Sequence, residues 1–161
     1  MSNVDATAII DYTYSDFRNG IARIAQQVKD SNFNPNYIVG VVRGGAIPAV
    51  HLSHLLKIPV VMVHWNTRDE TLWGNESNCW IPVEINKGDK ILLVDDIVDG
   101  GETIKELLDD WNSSISDELV VDNIRVAAMY YNTAQDVNVE YFDRAIDRKE
   151  DKRWVIFPWE A

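Results

Sequence analysis

The sequence has little cysteine and a deficit of basic residues. Cys79 is the only cysteine among 161 residues, which excludes an internal disulfide and a zinc site built from four cysteines. Fifteen lysines and arginines stand against 26 aspartates and glutamates, so the net charge is −11. Such a surface repels phosphate backbones, and we therefore do not expect nucleic acid or an anionic membrane as a general partner. A local pocket can still bind a small polyanion.

Long apolar runs are missing as well. No segment approaches the roughly 20 apolar residues that a membrane-spanning helix requires. The first ten residues, MSNVDATAII, include Asp5 and no basic residue, unlike a secretory signal peptide, so we expect a soluble cytoplasmic protein. The content of 46% hydrophobic and 25% charged residues is typical of a globular chain. Its length predicts one domain, 1–161, with a core that needs no disulfide or metal.

Short apolar segments alternate with amphipathic ones. Apolar spacings of three and four residues predict a helix over 15–30 with Ser15 as N-cap, and further helices are predicted over 46–56 and 102–111. Segments that are apolar on both faces predict buried strands over 37–42, 58–63, 90–94 and 124–131. The alternation favours an α/β fold, a mostly parallel twisted sheet flanked by helices. In such folds ligands bind beyond the carboxyl ends of the strands.

Two predicted turns at that edge carry polar chemistry. Arg43-Gly44-Gly45 follows the first core strand, and the third core strand runs into Asp95-Asp96 and then the segment Asp99-Gly100-Gly101-Glu102-Thr103. Free amides at a helix N-terminus, glycines that allow close approach and the Thr103 hydroxyl suit a phosphate group. Adjacent carboxylates suit vicinal sugar hydroxyls, directly or through Mg²⁺. Together these features predict a pocket for a ribose 5-phosphate.

The acidic segment has two plainer interpretations. A solvated loop that only caps the following helix is the first, but three carboxylates at the end of a buried strand repel one another unless something compensates them. An acid cluster like that of response regulators is the second. The acids that such a cluster needs after other strands are missing from the sequence.

The segment 91–103, ILLVDDIVDGGET, resembles the 5-phosphoribosyl-1-diphosphate (PRPP) binding signature of type I phosphoribosyltransferases. The resemblance implies that Asp99, Gly100, Gly101, Glu102 and Thr103 bind the 5′-phosphate. The usual pattern has Thr or Ser where this chain has Gly100, so backbone amides carry more of the phosphate contact. Because Glu102 stands where a small or basic residue is common, we expect its side chain to point away from the phosphate.

Two further segments resemble the xanthine–guanine branch of that family. The segment 42–48, VRGGAIP, is similar to a loop that holds pyrophosphate and often contains a non-proline cis peptide, so Arg43 and Gly44 are implied pyrophosphate ligands. The C-terminal tail, about 141–161, is similar to the base-binding end of the branch. There Trp154 would stack on a purine and the backbone of Val155 would read its edge.

Two positions of the base site depart from the branch. Glu160 stands where the branch has Asp, and Asn132 falls at or near a Lys that donates to the purine 6-oxygen. An Asn amide can donate to an oxygen or accept from an amine. The resemblance therefore leaves adenine and other bases open beside the 6-oxopurines.

The implied reaction displaces pyrophosphate from ribose C1 by a base nitrogen. Asp95 and Asp96 would hold the ribose hydroxyls, Asp96 would bind Mg²⁺, and Asp99 would exchange a proton with the purine imidazole nitrogen. The polar segment 66–78 would be a lid that excludes water, and its only basic residue, Arg68, would reach the pyrophosphate. A mobile surface loop with one chance cation is the equal alternative.

Three functions follow in order of preference. The first is a purine-salvage enzyme that transfers the 5-phosphoribosyl group from PRPP to xanthine, guanine or hypoxanthine. The second keeps the PRPP site but accepts adenine or a pyrimidine. The third is a PRPP-binding regulator without transfer, which the lack of a basic nucleic-acid surface disfavours. The resemblance further implies a homodimer or homotetramer and a small hood formed by the chain ends.

Overall fold

The computed structural model describes residues 8–65, 88–114 and 121–160. The strands are β1 (Ile9–Asp11), β2 (Tyr37–Val42), β3 (Val60–His64), β4 (Ile91–Val98), β5 (Ile124–Asn132), β6 (Tyr141–Ile146) and β7 (Trp154–Ile156). The helices are α1 (Tyr14–Asp30), α2 (Ala46–Leu56) and α3 (Glu102–Ser114), and a 3-10 turn covers Val121–Asn123. The expected lid, 66–78 with Arg68, lies outside the described residues.

Five parallel strands form the main sheet in the order β3-β2-β4-β5-β6. Successive residues of β4 face opposite layers: Leu92 packs with the buried side of α1 and α2, whereas Leu93 packs with the buried side of α3. Because both faces are covered, the central strands β2, β4 and β5 are mostly apolar on both sides, as their sequences indicated. The predicted α/β fold is confirmed, and β4 lies at the centre of the sheet.

The chain ends form a second, two-stranded sheet, which we call the hood. β1 pairs in parallel with β7, and Ile10 lies opposite Val155. Tyr12 anchors the hood, because its ring packs edge-on against Tyr130 and its hydroxyl donates to Asp143 Oδ2 at 2.7 Å. The expected hood is present, although no sequence pattern predicted its strands of three residues.

The start of α1 and the end of β4 are among the element boundaries that differ from the sequence-based prediction. The N-cap of α1 is Thr13 and not Ser15: the Thr13 hydroxyl accepts from the N–H of Asp16 at 3.1 Å, and Asp16 Oδ2 accepts from the N–H of Thr13 at 2.9 Å. This reciprocal capping box requires an acid three residues after the cap. β4 continues to Val98, so Asp95 and Asp96 lie within the strand and not in a turn after it.

The helices of the described ranges are short or amphipathic. Among them there is none with both the length and the apolar character needed to span a bilayer.

Candidate active site

The acid pair Asp95 and Asp96 lies near the carboxyl end of the central strand and is almost fully buried, with 9% and 8% of each residue exposed. The N–H of Asp96 donates to Asp95 Oδ1 at 2.9 Å, and the N–H of Ile97 donates to Asp96 Oδ1 at 2.7 Å. These bonds employ one oxygen of each carboxylate. Within the described ranges, neither carboxylate forms an ion pair.

Burial dominates the electrostatics of this pair. Loss of hydration raises the pKa of Asp95 well above its usual value, and the neighbouring charge of Asp96 raises it further. Burial also raises the pKa of Asp96, the N–H of Ile97 acts in the opposite direction, and repulsion from Glu160 adds to the rise. Two buried carboxylates in this state favour binding of hydroxyl donors or a cation.

The turn between β2 and α2 lies directly against the acid pair. The Val42–Arg43 peptide bond is cis, as the resemblance implied. A Cβ atom on Gly44 would lie 2.5 Å from Asp96 Oδ1, and one on Gly45 would lie 2.7 Å from the carbonyl oxygen of Val41. Only glycine allows this approach at the two positions. The fold therefore brings together two segments that stand about 50 residues apart in the sequence, and Arg43 is exposed beside them.

The turn between β4 and α3 presents a helix N-terminus. Gly101 has a φ of +87°, a left-handed conformation that favours glycine, and a Cβ atom there would lie 2.7 Å from Val137 Cγ2. The N–H of Lys105 donates to the carbonyl oxygen of Gly101 at 3.0 Å, which begins the helical pattern and leaves the preceding amides outside it. Thr103 is half-buried in this first turn. The arrangement suits an anion.

Glu102 departs from the expectation. Its carboxylate folds back over the turn, since a Cβ atom on Gly100 would lie 2.6 Å from Glu102 Oε1. The expectation that this side chain points away is therefore wrong. An acid in the first turn of a helix is stabilised by the partial positive charge of the N-terminus, which explains the position. It places a negative charge beside the candidate phosphate site.

Asp99 is held from two sides, by Asn132 at the end of β5 and by Arg148 in the turn after β6. Asn132 Nδ2 donates to the carbonyl oxygen of Asp99 at 2.9 Å, and Asn132 Oδ1 accepts from the N–H groups of Ala134 and Arg148 at 3.0 and 3.2 Å. Arg148 Nε donates to Asp99 Oδ1 at 2.9 Å, and its Nη1 donates to the carbonyl oxygen of Arg153. No sequence signal points to Arg148, because it stands in no motif and 49 residues from Asp99.

The base-binding residues implied by the tail are near these groups. Trp154 is 54% exposed, and Val155 is buried at the pairing of β7 with β1. Because the hood has two strands, the other edge of β7 carries no strand within the described residues. The resemblance predicts that the backbone of Val155 reads the base edge, which stays a prediction.

The last residues of the tail reach the acid pair. Glu160 Oε2 accepts from the N–H of Phe157 at 2.9 Å, which closes a turn. The Trp159 indole favours the ionised form of Asp96 and so lowers its pKa, although the buried Nε1 makes no hydrogen bond of ordinary geometry. The charge of Glu160 raises the pKa of Asp96, so this end of the tail acts on the acid pair.

The acid pair is compatible with magnesium. Among the residues that the structure describes, no three or more His, Cys, Asp or Glu side chains are arranged to hold a metal ion. Mg²⁺ commonly takes only one or two protein carboxylates and completes its octahedron with water and substrate phosphates. Asp95 and Asp96, each with a second oxygen and an unfavourable buried charge, fit that requirement.

Several known proteins that resemble this chain are phosphoribosyltransferases. A family model described as "Phosphoribosyl transferase domain" matches residues 13–161. Orotate phosphoribosyltransferases of Brucella anthropi and Bartonella tribocorum are 29% identical to this chain over 87 and 103 residues. Those alignments cover 53% and 61% of this chain but only 41% and 48% of the relatives, so the chain spans less than half the length of these curated relatives.

Two solved structures share the fold over nearly the whole chain. A purine phosphoribosyltransferase from Pyrococcus horikoshii Ot3 superposes with a TM-score of 0.73 at 25% identity and covers 96% of this chain and 95% of its own. A xanthine–guanine–hypoxanthine phosphoribosyltransferase of Helicobacter pylori also has a TM-score of 0.73, with coverage of 95% and 94%. At its 22% identity, that likeness shows the fold alone.

Proposed function

Because the chain belongs to the phosphoribosyl transferase domain family and is most like its purine branch, we propose that it transfers the 5-phosphoribosyl group of PRPP to a 6-oxopurine. The products are a nucleoside 5′-monophosphate and pyrophosphate, and the accepted base is xanthine, guanine or hypoxanthine. One observation carries the proposal: the buried pair Asp95–Asp96 lies against the glycine turn after β2 and shortly before the N-terminus of α3.

Each part of PRPP has a complementary group in this proposal. The amides of 99–103 and the Thr103 hydroxyl bind the 5′-phosphate, and Asp95 and Asp96 accept hydrogen bonds from the ribose hydroxyls. Arg43 and the Gly44 amide bind pyrophosphate. Arg68 remains a proposed pyrophosphate ligand from outside the described residues.

We propose Mg²⁺ as the cofactor, with Asp96 as its protein ligand. The bound ion would supply neutralising charge for PRPP and its leaving pyrophosphate. Support comes from the buried carboxylates and from the net charge of −11, which by itself disfavours a polyanionic substrate.

The transfer step balances without a further reactant. The bond from ribose C1 to the pyrophosphate oxygen breaks, with its electron pair leaving on pyrophosphate, while a base nitrogen forms a new bond to C1. Positive charge that grows on the sugar ring is stabilised by Asp95 and Asp96. Asp99 accepts the proton that the base imidazole loses, because its carboxylate stands beyond the strand end and is 37% exposed.

Orotate is the second candidate acceptor. The observation in its favour is that the curated relatives are orotate phosphoribosyltransferases, although they align over only part of either chain. A solved structure that matches 96% of this chain is instead a purine phosphoribosyltransferase. The two candidate functions share the PRPP site and differ only in the base that accepts the phosphoribosyl group.

A base panel tests the proposal directly. The purified chain is incubated with PRPP, Mg²⁺ and one base at a time (hypoxanthine, guanine, xanthine, adenine or orotate), and released pyrophosphate is measured. We expect release with at least one 6-oxopurine and none without Mg²⁺. Release with orotate alone would favour the second candidate, and no release with any base would contradict transferase function.

We also propose that the protein assembles as a homodimer or homotetramer and acts in the cytoplasm. Val50, Leu55 and Met62 are large exposed apolar residues on α2 and the edge strand β3, which supports self-association. A single cysteine, with no internal disulfide, fits a reducing compartment. Light scattering after size exclusion measures the assembly.

A further inference from the structure

Arg148 lies where the groups proposed to contact the base meet. Its side chain is 17% exposed, and its Nε binds Asp99 Oδ1 at 2.9 Å. Its Nη1 donates to the carbonyl oxygen of Arg153, the residue before Trp154, and its own N–H donates to Asn132 Oδ1. Arg148 therefore joins the proposed proton acceptor, the end of β5 and the residue that precedes β7.

The side-chain amide of Asn132 forms hydrogen bonds with the surrounding backbone. Its oxygen accepts two N–H groups, its Nδ2 donates to the carbonyl oxygen of Asp99, and only 6% of the residue is exposed. Its oxygen and one Nδ2 hydrogen are used in these bonds, and turning either of them toward a base would break a buried hydrogen bond, which is costly. A more exposed donor is better placed to discriminate the exocyclic group of the base.

The guanidinium of Arg148 has the chemistry for that discrimination. It offers five N–H donors and no acceptor. Within the described part of the chain, its Nη2 has no hydrogen-bond partner, whereas Nε and Nη1 are engaged. A charged donor binds a carbonyl oxygen strongly, but it finds no exocyclic acceptor on an amino-substituted base.

We propose that Arg148 is the specificity-determining residue, which donates from Nη2 to an exocyclic oxygen of the base while its Nε positions Asp99. The substrate class is then a nucleobase with an oxo or carboxylate oxygen, such as a 6-oxopurine or orotate, and not adenine. This inference rests on the proposed transferase function and adds a group that selects the base.

The first test needs no variant. Hypoxanthine and adenine differ at the exocyclic position, so the ratio of their kcat/KM values reports the discrimination. We expect the wild-type protein to prefer hypoxanthine over adenine by about 100-fold or more, because a site built to bind an oxygen rejects an analogue that lacks it. Equal or better use of adenine would overturn the inference. Guanine, xanthine and orotate, assayed in parallel, show which oxygen-bearing base is preferred.

The second test compares Arg148→Gln with Lys152→Gln, a matched loss of one positive charge at an exposed position of the same segment. We expect Arg148→Gln to lower kcat/KM for the oxygen-bearing base about 10- to 100-fold and to narrow its preference over adenine at least about tenfold. The KM for PRPP should stay within about twofold, and Lys152→Gln should leave the preference unchanged. An equal loss for both bases would assign Arg148 a purely structural role.

Arg148→Lys covers the case in which the Gln variant does not fold. Lysine keeps a charged donor but cannot bridge Asp99 and the Arg153 carbonyl oxygen together. We expect it to retain the preference for the oxygen-bearing base with a lower kcat; a preference for adenine would overturn the inference. If none of the bases caused the wild-type protein to release pyrophosphate, the proposed function itself would fail. Release without selectivity would contradict only the role of Arg148.

Discussion

The buried position of Asp95 suits the binding of a hydroxyl or a cation, but it lowers the free energy of unfolding of the protein. Its pKa is raised by burial and by Asp96, so its charged form destabilises the folded state. Asp95→Asn keeps the oxygen that accepts the N–H of Asp96 and removes the charge. We expect the variant to be more stable at pH 7 by on the order of 1 kcal/mol, and to lose transfer activity. Urea denaturation and pyrophosphate release measure the two effects.

The pH dependence follows from the direction of that shift. A raised native pKa means that the unfolded carboxyl releases its proton first, so wild-type stability is full below its unfolded value near 4 and declines as pH rises toward the native value. The stability gap between Asp95→Asn and wild type should therefore widen from about pH 4 to pH 7. Asp122→Asn, at an exposed aspartate, serves as the control and should show no such gap. A constant gap would refute the assignment.

Asp99 can be tested without disturbing its partner. Asp99→Asn retains an oxygen that accepts from Arg148 Nε but cannot take up a proton from the base. We expect kcat to fall by about 10²- to 10⁴-fold, the usual contribution of a general base, while PRPP binding stays within a few-fold. Single-turnover rates and PRPP binding by calorimetry separate these quantities. Unchanged turnover would remove the proton-transfer role.

Glu102 opposes the ligand that its helix is expected to bind. Its carboxylate lies over Gly100, inside the proposed phosphate turn. Removing one like charge a few ångströms from a phosphate in water is worth about 1 kcal/mol. We therefore expect Glu102→Gln to lower the KM for PRPP about fivefold, whereas Asp109→Asn, farther along the exposed surface of α3, should have little effect. A higher KM would indicate that Glu102 serves binding.

At the scale of elements, the capping box sets where α1 begins. Thr13→Ala removes the hydroxyl that accepts from the N–H of Asp16. We expect a loss of about 1 kcal/mol in the free energy of unfolding. Ser15→Ala, inside the first turn, is the matched control and should change stability by less than half as much. Equal effects of the two variants would contradict the assignment of the cap.

The elements also show where sequence patterns were informative. β2, α2 and most of β4 were predicted within a few residues, because a buried strand or helix face repeats its apolar pattern over several residues. β1 and β7 have three residues each, which is too few for an alternation of apolar and polar residues to be recognised. β4 continues through two aspartates, residues that disfavour strands, because its neighbours supply the pairing.

For the whole molecule, the charge of −11 acts against a polyanionic substrate. Raising the salt concentration from about 20 to about 150 mM shortens the screening length to about 8 Å. At constant free Mg²⁺ we expect the KM for PRPP to fall about twofold, while the KM for a neutral base stays constant. Steady-state kinetics at several salt concentrations measure this. A rise in the KM for PRPP would show that local cations such as Arg43 outweigh the global field.

The candidate site was predicted only in part. Turn chemistry and strand burial are properties of neighbouring residues, so the sequence alone could propose Asp95, Asp96, Asp99 and the two glycine turns. The structure places these segments together as expected. The structure also shows the Glu102 carboxylate close to Gly100 and the Asn132 amide hydrogen-bonded to the carbonyl oxygen of Asp99. No local sequence pattern predicts either contact.

The sequence by itself determined the parallel sheet and the phosphate and acid motifs, since burial patterns and glycine turns follow from nearest neighbours in the chain. Only the tertiary structure decided which side chains contact Asp99. Arg148 and Asn132 reach Asp99 from positions 49 and 33 residues away. Those contacts depend on β4, β5 and β6 lying side by side, and this order results from packing between layers.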